Sequence, residues 1–263
     1  MIVLHGIWYV VESLWLYAGL ALLAFMSLAY NLGAAVVALF VRRRDRAHAL
    51  GRRGIMHGYR LYWRFMTWAR LVRLDLSALD TLRDAGPLII APNHPALLDA
   101  VLVVSRLPVV CLMKSSVVDN VFLGAGARLA GYIRNEPVHG MIKRAVKELG
   151  LGSQLLIFPE GTRTTETPVN PFKRGIALIA CKARAPVQTV FIEARSGYLS
   201  KGWKIWRKPP LPLVYRIRLG ERFIPGDDPD AFLARLEAYF RDELMNARPN
   251  ASAEGRRLSV ESA

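Results

Sequence analysis

The chain is 263 residues long and carries 36 Lys plus Arg against 21 Asp plus Glu, a formal net charge of +15. With 52% hydrophobic residues, that charge suits contact with an anionic membrane surface better than contact with nucleic acid, for which no binding module is visible. The only cysteines, Cys111 and Cys181, sit in apolar runs without metal-ligand spacing; this excludes a disulfide framework and reads as reduced core residues of a cytosol-facing domain.

Ser13 through Val41 contain no Asp, Glu, Lys or Arg. A straight helix over that stretch would reach roughly 43 Å, more than the ~30 Å hydrocarbon core. Three arrangements satisfy it: one tilted span, two shorter helices bent near Asn31-Leu32-Gly33, or a re-entrant pair. His5 and Glu12 argue against one span reaching back to residue 1. A cleaved signal peptide does not fit, because the early segment lacks Lys or Arg and the apolar stretch is too long. Arg42-Arg43-Arg44-Asp45-Arg46 and Arg52-Arg53 follow, which by the positive-inside rule puts the rest of the chain on the cytoplasmic side of the inner membrane. Residues 42–75 hold ten arginines and two aspartates, interleaved with Tyr59, Tyr62, Trp63, Phe65, Trp68 and Leu71. That mixture predicts a basic helical region over 42–79, lying in the headgroup layer with guanidiniums on lipid phosphates, packed on the following domain with a solvated Arg face, or both on different faces.

From Asp80 to about residue 246 the texture changes to short apolar strands alternating with amphipathic helices. It predicts an α/β domain with a mixed, partly parallel sheet flanked by helices, behind the N-terminal membrane-embedded segment of residues 1–41. Strands are expected at Leu88–Pro92, Val109–Met113, Gln154–Phe158, Val187–Glu193 and Leu213–Leu219. A helix is expected over Val138–Gly150, where Val138, Met141, Ile142, Ala145, Val146 and Leu149 share one face. A last helix runs from Pro229 to about Asn246, capped by Asp228. Residues 247–263 are polar, without apolar rhythm, and read as disordered. Another basic-aromatic patch, Lys201 to Lys208, suggests a further interfacial contact.

Two short blocks carry chemistry. Asn93-His94-Pro95-Ala96-Leu97-Leu98-Asp99 follows the strand Leu88–Ala91 and leads into an apolar helix. With Pro95 at the first helical position, Asp99 lies about one turn in, where its carboxylate can accept the Nδ1 proton of His94. Nε2 is then free to take a proton from a hydroxyl. Read alone, the same pair could be a capping histidine and a helix-dipole aspartate. The second block, Phe158-Pro159-Glu160-Gly161-Thr162-Arg163, ends a strand in a glycine that permits close backbone approach and an arginine fork suited to phosphate. Read alone, Glu160 and Arg163 could be a local salt bridge. Phe172-Lys173-Arg174-Gly175 adds two cations before an apolar helix.

Together these blocks resemble the lysophospholipid acyltransferases, the 1-acylglycerol-3-phosphate acyltransferase family, over roughly Asp80 to Ile224. Asn93 to Asp99 matches the family's N-H-x-x-x-x-D block, and residues 158–163 match its F-P-E-G-T-R block residue for residue. Phe172–Gly175 is similar to the basic segment that follows, and Ala185–Val190 to the family's proline-containing last block. One block departs: in Gly131-Tyr132-Ile133-Arg134-Asn135-Glu136 the arginine comes about two positions earlier than the family's acidic–Arg pair.

The resemblance implies acyl transfer from a thioester, acyl-CoA or acyl carrier protein, to the free hydroxyl of a lysophospholipid, with 1-acylglycerol-3-phosphate giving phosphatidic acid. His94 and Asp99 would be the catalytic pair. Asn93, Glu160, Gly161, Thr162, Arg163, Lys114, Arg134 and Lys173 would bind substrate, Arg163 at the acceptor's phosphate and backbone amides near Gly161 at the developing oxyanion. The donor thioester is a co-substrate, and neither a cofactor nor a metal ion is implied. The altered Arg134 block leaves a different lysolipid, or a specialised lipid or polyene precursor, open as acceptor. A membrane thioesterase or lipid hydrolase is the other enzymatic reading.

Overall fold

The computed structural model describes residues 2–41 and 44–260, with side chains described over 9–41 and 44–246. Arg42 and Arg43 of the basic run, and the final residues 261–263 of the tail, lie outside the described residues. The elements in chain order are α1 (Ile2–Phe40), α2 (Arg44–Trp68), β1 (Val72–Asp75), a 3₁₀ turn (Ser77–Leu82), β2 (Ile89–Pro92), α3 (Asp99–Val104), β3 (Val110–Met113), α4 (Ser115–Val118) and α5 (Gly124–Leu129). They continue with β4 (Ile133–Arg134), α6 (Val138–Gly150), β5 (Leu155–Leu156), α7 (Gly175–Ala183), β6 (Val187–Ala194), β7 (Leu213–Phe223) and α8 (Pro229–Val260).

The seven strands form one sheet in the order β1-β7-β6-β2-β5-β3-β4. Every neighbouring pair is parallel except β6 and β7, so β7 and β1 run against the other five. Alternate residues serve opposite faces. Ile90, Val190 and Leu156 join Tyr62, Trp63, Leu102 and Val103 from α2 and α3. Ile89, Ala91, Leu155 and Val187 join Met141, Ala145, Ile176, Phe232 and Phe240 from α6, α7 and α8. Central strands covered on both faces are largely apolar throughout, and that is why β2, β3 and β5 read as continuous runs.

Several boundaries differ from the sequence reading, each for a physical reason. The sheet begins at Val72, inside the stretch expected to be wholly helical. β1 is an edge strand whose Val-Arg-Leu-Asp alternation leaves its charged residues largely exposed, and this hides it in a basic run. β4 is only two residues long and was not expected. α3 starts at Asp99 rather than Pro95, because the Asp99 carboxylate accepts the Ala96 N–H and holds the preceding residues as a turn. α8 does begin under an Asp228 cap, whose Oδ1 accepts the N–H groups of Asp230 (2.9 Å) and Ala231 (3.2 Å). It then continues to Val260, into the tail expected to be disordered; extending an existing helix fixes one residue per added bond and needs no new nucleus.

α1 is one continuous helix that runs through Asn31-Leu32-Gly33 without a break. It lies along the α/β domain instead of projecting from it. Near its start, Glu12 pairs with Lys208 at 2.6 Å and Tyr17 Oη donates to Trp206 O at 2.9 Å. Near its end, Tyr30 Oη donates to Gly51 O, while Asn31 donates to Val121 O and accepts from Gly126 N–H. Glu12 and Asn31 are roughly 28 Å apart along the helix. The outward face carries exposed Val10, Leu14, Phe25, Leu32, Val36, Leu39 and Phe40. The Lys201–Lys208 patch is thus a clasp on α1, with Lys208 also lying over the Tyr9 ring. Asn31→Ala removes both amide bonds at the far tether and is expected to cost about 1–3 kcal/mol. A lowered thermal midpoint in detergent, with faster protease cleavage after α1, would register it.

Candidate active site

The site gathers at the carboxyl ends of the central parallel strands, where open α/β sheets place their ligands. β2 ends at Pro92, and Asn93 prolongs it by a side-chain clamp on β6: Nδ2 donates to Ile192 O (3.1 Å), and Oδ1 accepts the Ile192 N–H (2.7 Å). Asn93 is buried and both ends of its amide are engaged by the chain. The next residue, His94, is aimed from that fixed point.

His94 Nδ1 lies 2.9 Å from Asp99 Oδ2, which also accepts the Ala96 N–H at 2.7 Å. Asp99 is fully buried. Burial pushes its carboxyl above the ordinary carboxylate value; the bond and charge of His94 and the Ala96 bond pull it down, and nearby Glu160 pushes it up again. Its other oxygen, Oδ1, has no partner among the described residues. The imidazole stacks on Phe158, ring centres 4.0 Å apart and planes 26° from parallel. No described group bonds Nε2. An acceptor on Nδ1 and a ring stacked against movement fix which nitrogen is presented.

The second block docks directly onto the first. Glu160, 1% exposed, takes the His94 N–H (3.1 Å) and the Thr164 hydroxyl (2.7 Å) on Oε1, and the Asn170 N–H (2.9 Å) on Oε2. Thr164 N–H returns a bond to His94 O at 2.8 Å. Asn170 closes the far side of the loop: its Oδ1 accepts from the backbone of Thr165 and Glu166, and its Nδ2 donates to Arg163 O. The Glu160 carboxylate therefore faces chain donors on every side. Thr164, Asn170 and the stacked Phe158 also build this site, and the sequence reading did not single them out for it. Only the turn-forming Asn170-Pro171 was a signal.

Arg163 Nη1 donates to Leu199 O (2.9 Å) and Ser200 O (3.2 Å), while Nε and Nη2 bond no other described group. The fork is held half-buried by the loop after β6 with one edge left over. Gly161 has φ +69°, and its N–H is occupied by Phe158 O at 3.0 Å. A Cβ there would stand 3.1 Å from Lys173 Cγ, so Lys173 lies directly over the glycine. The next amides, of Thr162 and Arg163, have no acceptor among the described residues.

Two expected residues stand apart. Lys114 follows β3 and Arg134 ends β4, on the same edge of the sheet. β4 lies three strands from β2, roughly 14 Å at the usual spacing. Lys114 is exposed, and Arg134 is paired with Asp119 at 2.5 Å. Neither bonds the 93–99 or 158–164 segments.

Residues 73–193 match the family model named Acyltransferase. The chain is 32% identical over 137 residues to the proposed 1-acyl-sn-glycerol-3-phosphate acyltransferase acl-1 of Caenorhabditis elegans, covering 46% of this chain and 50% of that protein. To acl-2 of the same organism it is 27% identical over 157 residues, covering 56% and 54%. The match thus spans about half the length of these relatives. Among solved structures, the 1-acyl-sn-glycerophosphate (LPA) acyltransferase PlsC from Thermotoga maritima superposes with a TM-score of 0.66, covering 92% of this chain and 97% of that one. At 18% identity that likeness speaks for the fold. The matched residues 73–193 contain β2, His94, Asp99 and the whole 158–164 loop, so the segment of the chain that is similar to the acyltransferase family holds the whole of this site.

Proposed function

We propose that this protein moves a fatty acyl group from a thioester donor, acyl-CoA or acyl carrier protein, to the free hydroxyl of 1-acylglycerol-3-phosphate, forming phosphatidic acid. One observation carries the reading: a histidine whose Nδ1 is engaged by a buried carboxylate presents Nε2 at the strand ends, with the free edge of Arg163 held by the same loop system. His94 Nε2 takes the proton of the acceptor hydroxyl as its oxygen attacks the thioester carbonyl. Asp99 holds the ring and stabilises the imidazolium. Collapse of the tetrahedral intermediate breaks the carbon–sulfur bond, and the imidazolium returns its proton to the departing thiolate. The unclaimed amides of Thr162 and Arg163 are the donors we assign to the developing oxyanion, replacing Gly161, whose own N–H is occupied. Arg163 would meet the acceptor phosphate.

The placement of α1 supports working at a membrane surface. A helix tied to one domain at points roughly 28 Å apart cannot cross a bilayer unless the domain crosses with it. Its apolar outward face suits immersion in one leaflet, lying in the interface. Arg44, Arg46 and Arg53, just after α1, suit the anionic lipid of a cytoplasmic leaflet. The names of the worm relatives favour the phosphate-bearing acceptor.

The test is a reconstitution: purified protein in phosphatidylcholine bilayers, offered labelled acyl-CoA or acyl carrier protein with a panel of lysolipids, products identified by mass spectrometry. Phosphatidic acid from 1-acylglycerol-3-phosphate is the expected product. Fatty acid released at the same rate without any acceptor would make the protein a hydrolase and overturn the reading.

A further inference from the structure

A cleft of about 610 Å³ opens on the flank of α2 opposite α1. Four arginines from three parts of the chain line it: Arg60 and Arg64 on α2, Arg83 just past the 3₁₀ turn, and Arg106 just past α3, with Trp63 and Ser77 between them. It is separate from the dyad. Asp99 opens α3 and Arg106 lies beyond its other end, roughly 10 Å along the axis. No residue of the 93–99 or 158–164 segments lines the cleft.

Local acids do not balance these cations. Asp80 is shared by two of them, accepting Arg83 Nη2 at 2.8 Å and a contact from Arg106 Nη2. Asp75, also on the wall, accepts the Ser77 hydroxyl and faces Arg216. Arg60 and Arg64 form no ion pair among the described residues; Arg60 Nε reaches only the Ser105 carbonyl, at 3.4 Å. Arg106 Nε is buried without a partner. Burial first, then Arg83 and Arg106, lower the Arg60 pKa, with Asp80 opposing them. Guanidiniums stay charged throughout, so an anion entering the cleft would meet fixed positive charge.

We propose that this cleft is a phosphate-binding site, distinct from the dyad, that takes phosphate-bearing ligands. Several planar forks around one concavity suit the oxygens of a phosphate group, and the volume suits a small ligand. Two sources share that chemistry: the headgroup of a neighbouring phospholipid and a soluble phosphate compound. The inference goes beyond acyl transfer and does not need it.

The test uses the full chain in neutral detergent, with pyrophosphate titrated calorimetrically. Arg60→Gln/Arg64→Gln removes two forks that form no ion pair, and is expected to weaken binding about tenfold or more. Lys143→Gln/Arg144→Gln, an equal charge loss on exposed α6 positions, should leave it unchanged. Displacement of pyrophosphate by vesicles containing phosphatidylglycerol, but not by phosphatidylcholine alone, would assign the site to lipid headgroups; no displacement would assign it to soluble ligands. If the α2 variant fails to fold, mapping phenylglyoxal modification of the wild type gives a second readout, with pyrophosphate expected to protect Arg60 and Arg64. No binding by wild type, equal weakening in both variants, or no protection would each overturn the proposal. None of these readouts involves turnover, so failure here leaves the acyltransferase reading standing.

Discussion

Purified Asp99→Asn protein is expected to fold, bind membranes and lose acyl transfer by about 10²–10⁴-fold. The asparagine oxygen can take the place of Oδ2 and accept both the Ala96 N–H and the Nδ1 proton, with its NH₂ group where the unpartnered Oδ1 stood. The ring orientation and tautomer are then kept, but the buried negative charge that stabilises the imidazolium is gone. The base is weakened while the geometry stays. His94→Ala, which removes the base itself, should cost at least ~10²–10⁴-fold. The stability of Asp99→Asn separates this reading from a structural one. Burial holds the Asp99 carboxyl above its ordinary value, so the folded state binds its proton more tightly than the unfolded chain does. Wild-type stability must therefore contain a contribution that falls as pH rises from the ordinary carboxylate value through the raised one. Asparagine lacks that slope, so the variant's thermal midpoint should match or exceed wild type above that window. A midpoint well below wild type, with activity falling only in proportion to folded protein, would make Asp99 a structural aspartate.

What could be read from the sequence follows burial. β2, β3, β5 and most of β6 are covered on both faces, so their apolar runs stand out; β7 shows instead by alternation, Leu213, Tyr215 and Ile217 inward and Arg216 outward, and the amphipathic α6 keeps its expected limits of Val138–Gly150. β1 escaped because an edge strand needs only every other residue buried. α1 left three arrangements open because composition measures apolar length but not what lies beside it. The decisive groups, Glu12 and Asn31, are polar residues whose partners Lys208, Val121 and Gly126 are 90 or more positions away. The His94–Asp99 contact was legible because five residues of local turn bring the two groups together. The surroundings of Glu160 were not: its donors at positions 94 and 170 meet only when the two loops dock. Arg134 was legible as a charge, but its pairing with Asp119 depends on how α4 follows β3.

Glu160 is the position where those two kinds of contact can be told apart. If its carboxylate met the acceptor's polar groups, Glu160→Gln would raise KM for the acceptor and leave the thermal midpoint in place. The geometry argues otherwise, because three donors from the chain already converge on a side chain that is 1% exposed. Glutamine can keep the His94 N–H and Thr164 hydroxyl on its oxygen, but its NH₂ group then confronts the Asn170 N–H. Two buried donors facing each other cost about 1–3 kcal/mol, several degrees in midpoint for a chain of this size. Glu160→Ala leaves all three donors without the carboxylate and should cost about 3 kcal/mol or more. Because the His94 N–H is one of the three, the 158–164 loop and the His94 turn loosen together. The clamp thus predicts that kcat and the midpoint fall in step through the series Glu, Gln, Ala, with little change in acceptor KM. A midpoint that holds at glutamine while acceptor KM climbs would return Glu160 to the substrate. Arg163, carried on the same loop, would then have to bind phosphate beside a carboxylate, a pairing the present geometry avoids by turning Glu160 inward.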